Sequence, residues 1–130
     1  MMKYLIVGVG GFVGSVARFW VGTYFTGKFG TRVPWGTFAV NITGSFLIGL
    51  VITILVARND ISPNYRYLIP IGFIGGYTTF SAFEYETFLA FDRGDMLIAV
   101  LNVVGSVVLG FLFVWLGVLA GRAIEQTRSS

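Results

Sequence analysis

Four apolar stretches, residues 4–25, 35–57, 67–83 and 96–121, occupy most of this 130-residue chain. A bilayer core is crossed by roughly 20 apolar residues in helical form. Lipid offers no partner for an open backbone group, so such stretches fold as helices. Three of the four reach that length with ease; the third falls short and continues into polar sequence. Only 12% of the residues are charged and mean hydropathy is +0.81, where a soluble domain carries about 25% charge. The sequence therefore predicts an all-α membrane protein, one four-helix transmembrane domain over residues 1–130. Its spans are about 4–25, 35–57, 67–90 and 96–121, joined by short connections at 26–34, 58–66 and 92–95. The first stretch lacks a small-residue cleavage site after its apolar core and is followed by further spans, so it reads as a span and not a signal peptide.

The chain has neither cysteine nor histidine. That removes disulfides, thiol chemistry, the commonest transition-metal ligands and any nucleophile–histidine relay, and no enzyme activity is expected. The net charge of +3 is scattered over loop ends, which is no footprint for nucleic acid. Four spans place both termini on one side, with Lys3, Arg58, Arg66, Arg122 and Arg128; Lys28, Arg32 and Arg93 stand on the other. Five against three is a slight bias towards termini inside, too small to fix one orientation.

The first span opens "KYLIVGVGGFVGSVARF". A dinucleotide loop beginning at Gly8 would need glycine at position 13, which is Val13. On a helix, Gly10, Gly14, Arg18 and Gly22 instead recur every four residues along one face, a spacing that suits close helix packing in lipid. Arg18 has two readings: an anchor that snorkels to the interface, or a fixed positive charge in an aqueous vestibule. The second span carries Thr37, Asn41 and Ser45 at the same spacing, with Gly44 beside them. Asn41 needs a partner there, either as a link between helices or as a pore-lining donor. Asn102, Ser106 and Gly110 repeat the pattern in the last span, followed by Gly117 and Gly121. The third span is the least regular. Pro70, Gly72, Gly75 and Gly76 precede Thr78, Thr79, Phe80, Ser81, Ala82 and Phe83. Glycines weaken the helix, and hydroxyls can satisfy freed main-chain groups. A break inside a membrane presents bare carbonyls and N–H groups, which are ready ion ligands.

At "GFIGGYTTFSAF" the sequence resembles the Fluc/CrcB family of fluoride channels; "GGFVGSVAR", "WGTFAVNITGSFLIG" and the small-residue-rich last span strengthen the resemblance. It covers nearly the whole chain. It implies an antiparallel homodimer of dual topology in the bacterial plasma (inner) membrane. The third helix would be broken near the membrane centre, two narrow pores would run along the subunit interface, and one structural Na⁺ would sit at the break. Carried over residue by residue, the Na⁺ ligands are the carbonyls of Gly75 and Thr78. The pore positions are Asn41, Phe80 and Phe83, with Ser81, Thr37 and Thr79 as polar wall. Arg18 matches a basic vestibule residue, and Glu86 a carboxylate after the break. The implied partners are fluoride, a second copy of the chain and the bilayer.

The chemistry of the residues is compatible with that reading. Fluoride is small and strongly hydrated, so a pore must replace its water with donors. Asn41 offers amide N–H, and Ser and Thr offer hydroxyls. Phenylalanine has a positive ring edge, and residues 80 and 83 share one side of a helix. Two phenylalanines at that spacing can equally be packing residues. The alternative function is a small four-span exporter of the multidrug-resistance type, exchanging cations for protons. It calls for a membrane-embedded acid, and the first span offers Arg18 in place of one.

Overall fold

The computed structural model of the chain describes residues 1–58 and 60–129, the last of these by its backbone alone. Asn59, in the expected 58–66 connection, and Ser130 lie outside it. The described residues form helices and no strand. Helix α1 is Met2–Phe29 and α2 is Trp35–Ala57. The third span is in two pieces, α3 over residues 64–77 and α4 over Phe80–Asp92, and α5 runs Met96–Ser129. Three helices, α1, α2 and α5, are long and apolar enough to cross a membrane unaided. With the interrupted third span this is a multi-pass membrane protein.

The helix ends follow local chemistry. α1 stops at Gly30, whose φ of 76° is left-handed, and whose N–H closes on the Thr26 carbonyl at 2.9 Å. Pro34 caps the start of α2, where its missing N–H is not required. Between α4 and α5 the chain turns at Gly94, with φ 79°. The helices overrun the predicted spans, α1 by several residues at its C-terminus and α5 almost to the chain end, because they continue past the apolar core with polar turns.

α3 departs most from an ordinary α-helix. It starts as one α-turn, Asn64–Arg66, then winds as a π-helix through Tyr67–Ile74, and ends as Gly75–Tyr77. Pro70 lies inside the wide stretch. It lacks the N–H that an α-helix requires and would crowd the preceding turn; a wider turn relieves both conflicts. The Gly75 N–H closes the wide stretch on the carbonyls of Pro70 and Gly72.

Packing explains two glycine seams. α1 lies along α3, and α2 has its most extensive contact with α5. A side chain at Gly10 or Gly14 would run into the backbone of α3, at Leu68 and Phe73. The core is thin, built on Val40, Ile42, Leu55, Ile74, Phe83 and Ala90. Phe12, Phe19, Trp20 and Phe111 point outwards, each at least 70% exposed, as suits side chains meant for hydrocarbon or a partner chain.

Candidate ion-binding site

The interruption between α3 and α4 is two residues long. Thr78 and Thr79 are both extended, with ψ 157° and 125°, so their peptide groups leave the helical ladder. The first half loses its C-terminal bonding and the second half its N-terminal bonding. Side chains make good part of that loss. The Thr78 hydroxyl donates back to the Ile74 carbonyl at 2.9 Å. The Thr79 hydroxyl caps α4, accepting from the Ala82 N–H at 3.3 Å.

Asn41 holds the gap from α2. Its Nδ2 donates to the Thr79 carbonyl at 2.8 Å, and its Oδ1 accepts from the Thr79 N–H at 2.8 Å. One amide therefore serves both polar groups of one backbone residue, as a neighbouring strand would. The second amide hydrogen stays uncommitted. One turn along α2, Gly44 sits beneath the Thr78 side chain, where a Cβ would collide with its methyl group. Next to them the Tyr77 and Thr43 hydroxyls meet at 2.9 Å. The Thr43 hydroxyl donates to the Ala39 carbonyl at 2.7 Å, so the proton between the two comes from Tyr77. The polar stripe of α2 is thus the face on which the break is seated.

On its outer side the break opens into a cleft of about 480 Å³, lined by Asn41, Ser45, Gly75, Thr78, Thr79 and Phe80 among others. Among the described residues no hydrogen bond ends on the carbonyl of Gly75 or of Thr78. The carbonyls on either side of Gly75 are occupied. That of Ile74 takes the Thr78 N–H and hydroxyl, and that of Gly76 takes Arg18 Nε at 3.1 Å and Ser15 Oγ at 3.4 Å. No group of three or more His, Cys, Asp or Glu side chains that could hold a metal occurs among the described residues; the oxygens at the cleft belong to main chain and to Asn41, Ser45, Thr78 and Thr79.

The predicted site residues divide between this cleft and its surroundings. Asn41, Gly75, Thr78, Thr79 and Phe80 share the cleft. The Phe80 and Phe83 rings are neighbours, 5.7 Å apart and tilted by 45°. Their settings differ: Phe80 is 73% exposed and Phe83 7%. Ser81 is exposed, its hydroxyl 3.5 Å from that of Thr79. Thr37 lies away from the cleft, donating to Glu86 Oε1 at 2.9 Å. It lines two cavities inside the chain. One, of about 390 Å³, also meets Thr26, Thr31, Tyr85, Glu86 and Arg93. The other, of about 360 Å³, meets Ser15, Arg18, Thr79 and Ala82. Asn102 is buried and donates to the Thr87 hydroxyl at 2.8 Å, a link between α4 and α5.

Two participants, Ser15 and Tyr77, escaped the sequence reading. Ser15 lies three residues before Arg18 on the seam face and joins it at Gly76. Tyr77 was given no role there, and its hydroxyl meets that of Thr43. Glu86 Oε2 is buried without a partner, as is Ser106 Oγ. Glu86 and Thr37 were named separately, as a carboxylate after the break and a wall hydroxyl, and the structure pairs them.

Comparison with known proteins gives a consistent result. The family model described as CrcB-like protein, Camphor Resistance (CrcB), matches residues 5–118. The "Fluoride-specific ion channel FluC" of Acidobacterium capsulatum is 54% identical over 123 residues, covering 95% of this chain and 98% of that protein. The proteins of the same name from Solibacter usitatus and Geotalea daltonii are 48% and 42% identical, over 93% and 95% of this chain and 99% and 100% of their own lengths.

Proposed function

The chain belongs to the CrcB-like family, and from that membership we propose that it is a fluoride-selective channel, releasing F⁻ from the cell down its gradient. The observation that carries the proposal is the clamp of Asn41 on Thr79, which holds an interrupted helix open on a polar cleft in a chain 54% identical to a protein named as such a channel. The working unit is an antiparallel homodimer in the bacterial inner membrane, with two pores at the subunit interface. A polar cleft on the outside of a membrane-spanning chain has to be covered, and a second copy bringing the same cleft would do so. The exporter alternative draws no support from the comparisons.

The residues fit a structural Na⁺. Carbonyls suit a hard cation, and those of Gly75 and Thr78 face no protein donor. When bound, the ion supplies a fixed positive charge and a tie between the two breaks. The chain's own residues do the rest. Asn41 keeps Thr79 extended and offers its second N–H to the anion. Ser81 and Thr79 add hydroxyl donors, while Thr37, whose hydroxyl donates to Glu86 Oε1, belongs to the wall further along. Phe80 and Phe83 present ring edges, weak donors that are apolar and rigid, so a small anion keeps contact while a larger halide is refused.

The test is fluoride release from liposomes containing the purified protein, followed with a fluoride electrode. Release well above that of empty vesicles, with no coupled gradient, is expected. Phe80→Ile and Phe83→Ile should each slow it by about tenfold, the factor that corresponds to 1.4 kcal/mol. Saturable cation flux driven by a proton gradient, without fluoride release, would point to the exporter.

A further inference from the structure

The last carbonyls of α3 are not treated alike. A helix end leaves four carbonyls without helical donors. Here Ile74 O is doubly bonded through Thr78, and Gly76 O is doubly bonded through Arg18 and Ser15 of α1. Gly75 O, between them, receives no hydrogen bond among the described residues, nor does Tyr77 O at the helix end, and Gly75 lines the cleft. The capping is selective, and the group that caps the far side is a charged side chain reaching across from another helix.

We infer that Arg18 is a positioning residue for the cation site: by donating Nε–H to the Gly76 carbonyl it fixes the last turn of α3, on which the Gly75 carbonyl is held, and with it the approach to Thr78. The inference rests on the Na⁺ site proposed above and deepens it. Arg18 is part-buried and spends Nε on main chain, so it is not an anchor stretched to the interface. Ser15 adds a longer second bond to the same oxygen at 3.4 Å. The two α1 glycines that let the helices touch, Gly10 and Gly14, bring Arg18 within reach.

Side-chain geometry separates this role from that of a charge drawing anions inwards. Glutamine places its amide nitrogen the same number of bonds from the backbone as arginine Nε, without the charge. Lysine keeps the charge but carries its nitrogen one bond further out. A positioning role is therefore rescued by Arg18→Gln and not by Arg18→Lys; a role in anion attraction gives the reverse.

The experiment follows thermal unfolding of the purified full-length protein, in its native assembly in detergent, as NaCl replaces choline chloride at constant ionic strength. Wild type is expected to gain stability with Na⁺. Arg18→Gln should keep the half-saturating Na⁺ concentration within about threefold, while Arg18→Lys and Arg18→Ala raise it by about tenfold, as for a lost hydrogen bond to main chain. Wild-type behaviour in Arg18→Lys with an Ala-like Arg18→Gln overturns the inference, as does an unshifted Arg18→Ala. If Arg18→Ala does not fold, the contrast between Gln and Lys decides alone, and an equal response of those two overturns the inference. A wild type indifferent to Na⁺ removes the cation reading itself and this inference with it, an outcome distinct from any variant effect.

Discussion

The two faces of α2 are held by different physics. Towards α5 the contact is close and dry. Gly49 lies on the Val114 carbonyl and Gly117 on the Phe46 carbonyl, and between residues 46–53 and 110–121 no side-chain hydrogen bond joins the helices among the described residues. Towards the interrupted span the contact is polar. Thr37 holds Glu86, Asn41 holds Thr79 twice, and Thr43 meets Tyr77. The first face joins two complete helices, whose backbones are already satisfied and need only proximity. The second receives a segment that cannot satisfy itself and supplies what it lacks. A membrane protein can therefore keep a broken helix if the neighbour that supports it is rigid on its opposite side.

That contrast can be broken from either face. Asn41→Leu should have the largest effect. It strands the N–H and the carbonyl of Thr79, at about 1–3 kcal/mol each. Chemical unfolding should show the loss of stability, and amide exchange at Thr79 should quicken. Gly117→Leu attacks the dry face. A side chain there meets the Phe46 backbone, so the helices must separate, costing about 1–3 kcal/mol. Its thermal midpoint should fall while Thr79 exchange stays slow up to the unfolding transition. Tyr77→Phe sharpens the comparison. It removes the donor to Thr43 and leaves the clamp intact, so about 1 kcal/mol of stability should go, with fluoride release preserved.

The smallest effect belongs outside the membrane. Arg32 pairs with Asp95 at 3.0 Å, in the connections at one end of the molecule. The hydrogen bond from Arg32, and secondarily its charge, hold the Asp95 carboxyl below the usual carboxylate range against the opposing effect of desolvation. A depressed folded-state pKa adds stability above the unfolded value and loses it as pH falls through the folded value. Acid titration should therefore remove a small increment in wild type that Asp95→Asn lacks. Arg32 is exposed and Asp95 half-buried, so solvent screens the pair, and both faces of α2 should be indifferent to the change.

The sequence disclosed the parts that depend on one segment at a time. Apolar length marked the spans. Gly75, Gly76 and the Thr78–Thr79 pair marked the interruption, because glycine and hydroxyl residues together weaken a helix and patch its gap. Four-residue spacing put Thr37, Asn41 and Ser45 on one face. Pairings between distant segments were not legible. Arg18 meets Gly76 across 58 positions, and neither reading of it, interface anchor or vestibule charge, included a main-chain acceptor. The π winding over Tyr67–Ile74 was hidden as well. Pro70 announced a disturbance, but whether a helix kinks, breaks or widens depends on the neighbour, here the glycines of α1. Equal spacing likewise could not tell outward Phe80 from buried Phe83, since burial is decided by what packs on α4.

The proposed function puts anion selection at the segment pinned by Asn41. Parallel release of fluoride and chloride from liposomes bearing wild type or Asn41→Leu tests it most directly. Wild type should release fluoride and retain chloride, and the variant, recovered as a folded assembly, should fall to the rate of empty vesicles. Equal release of the two halides by wild type, or undiminished fluoride release by the variant, would contradict it.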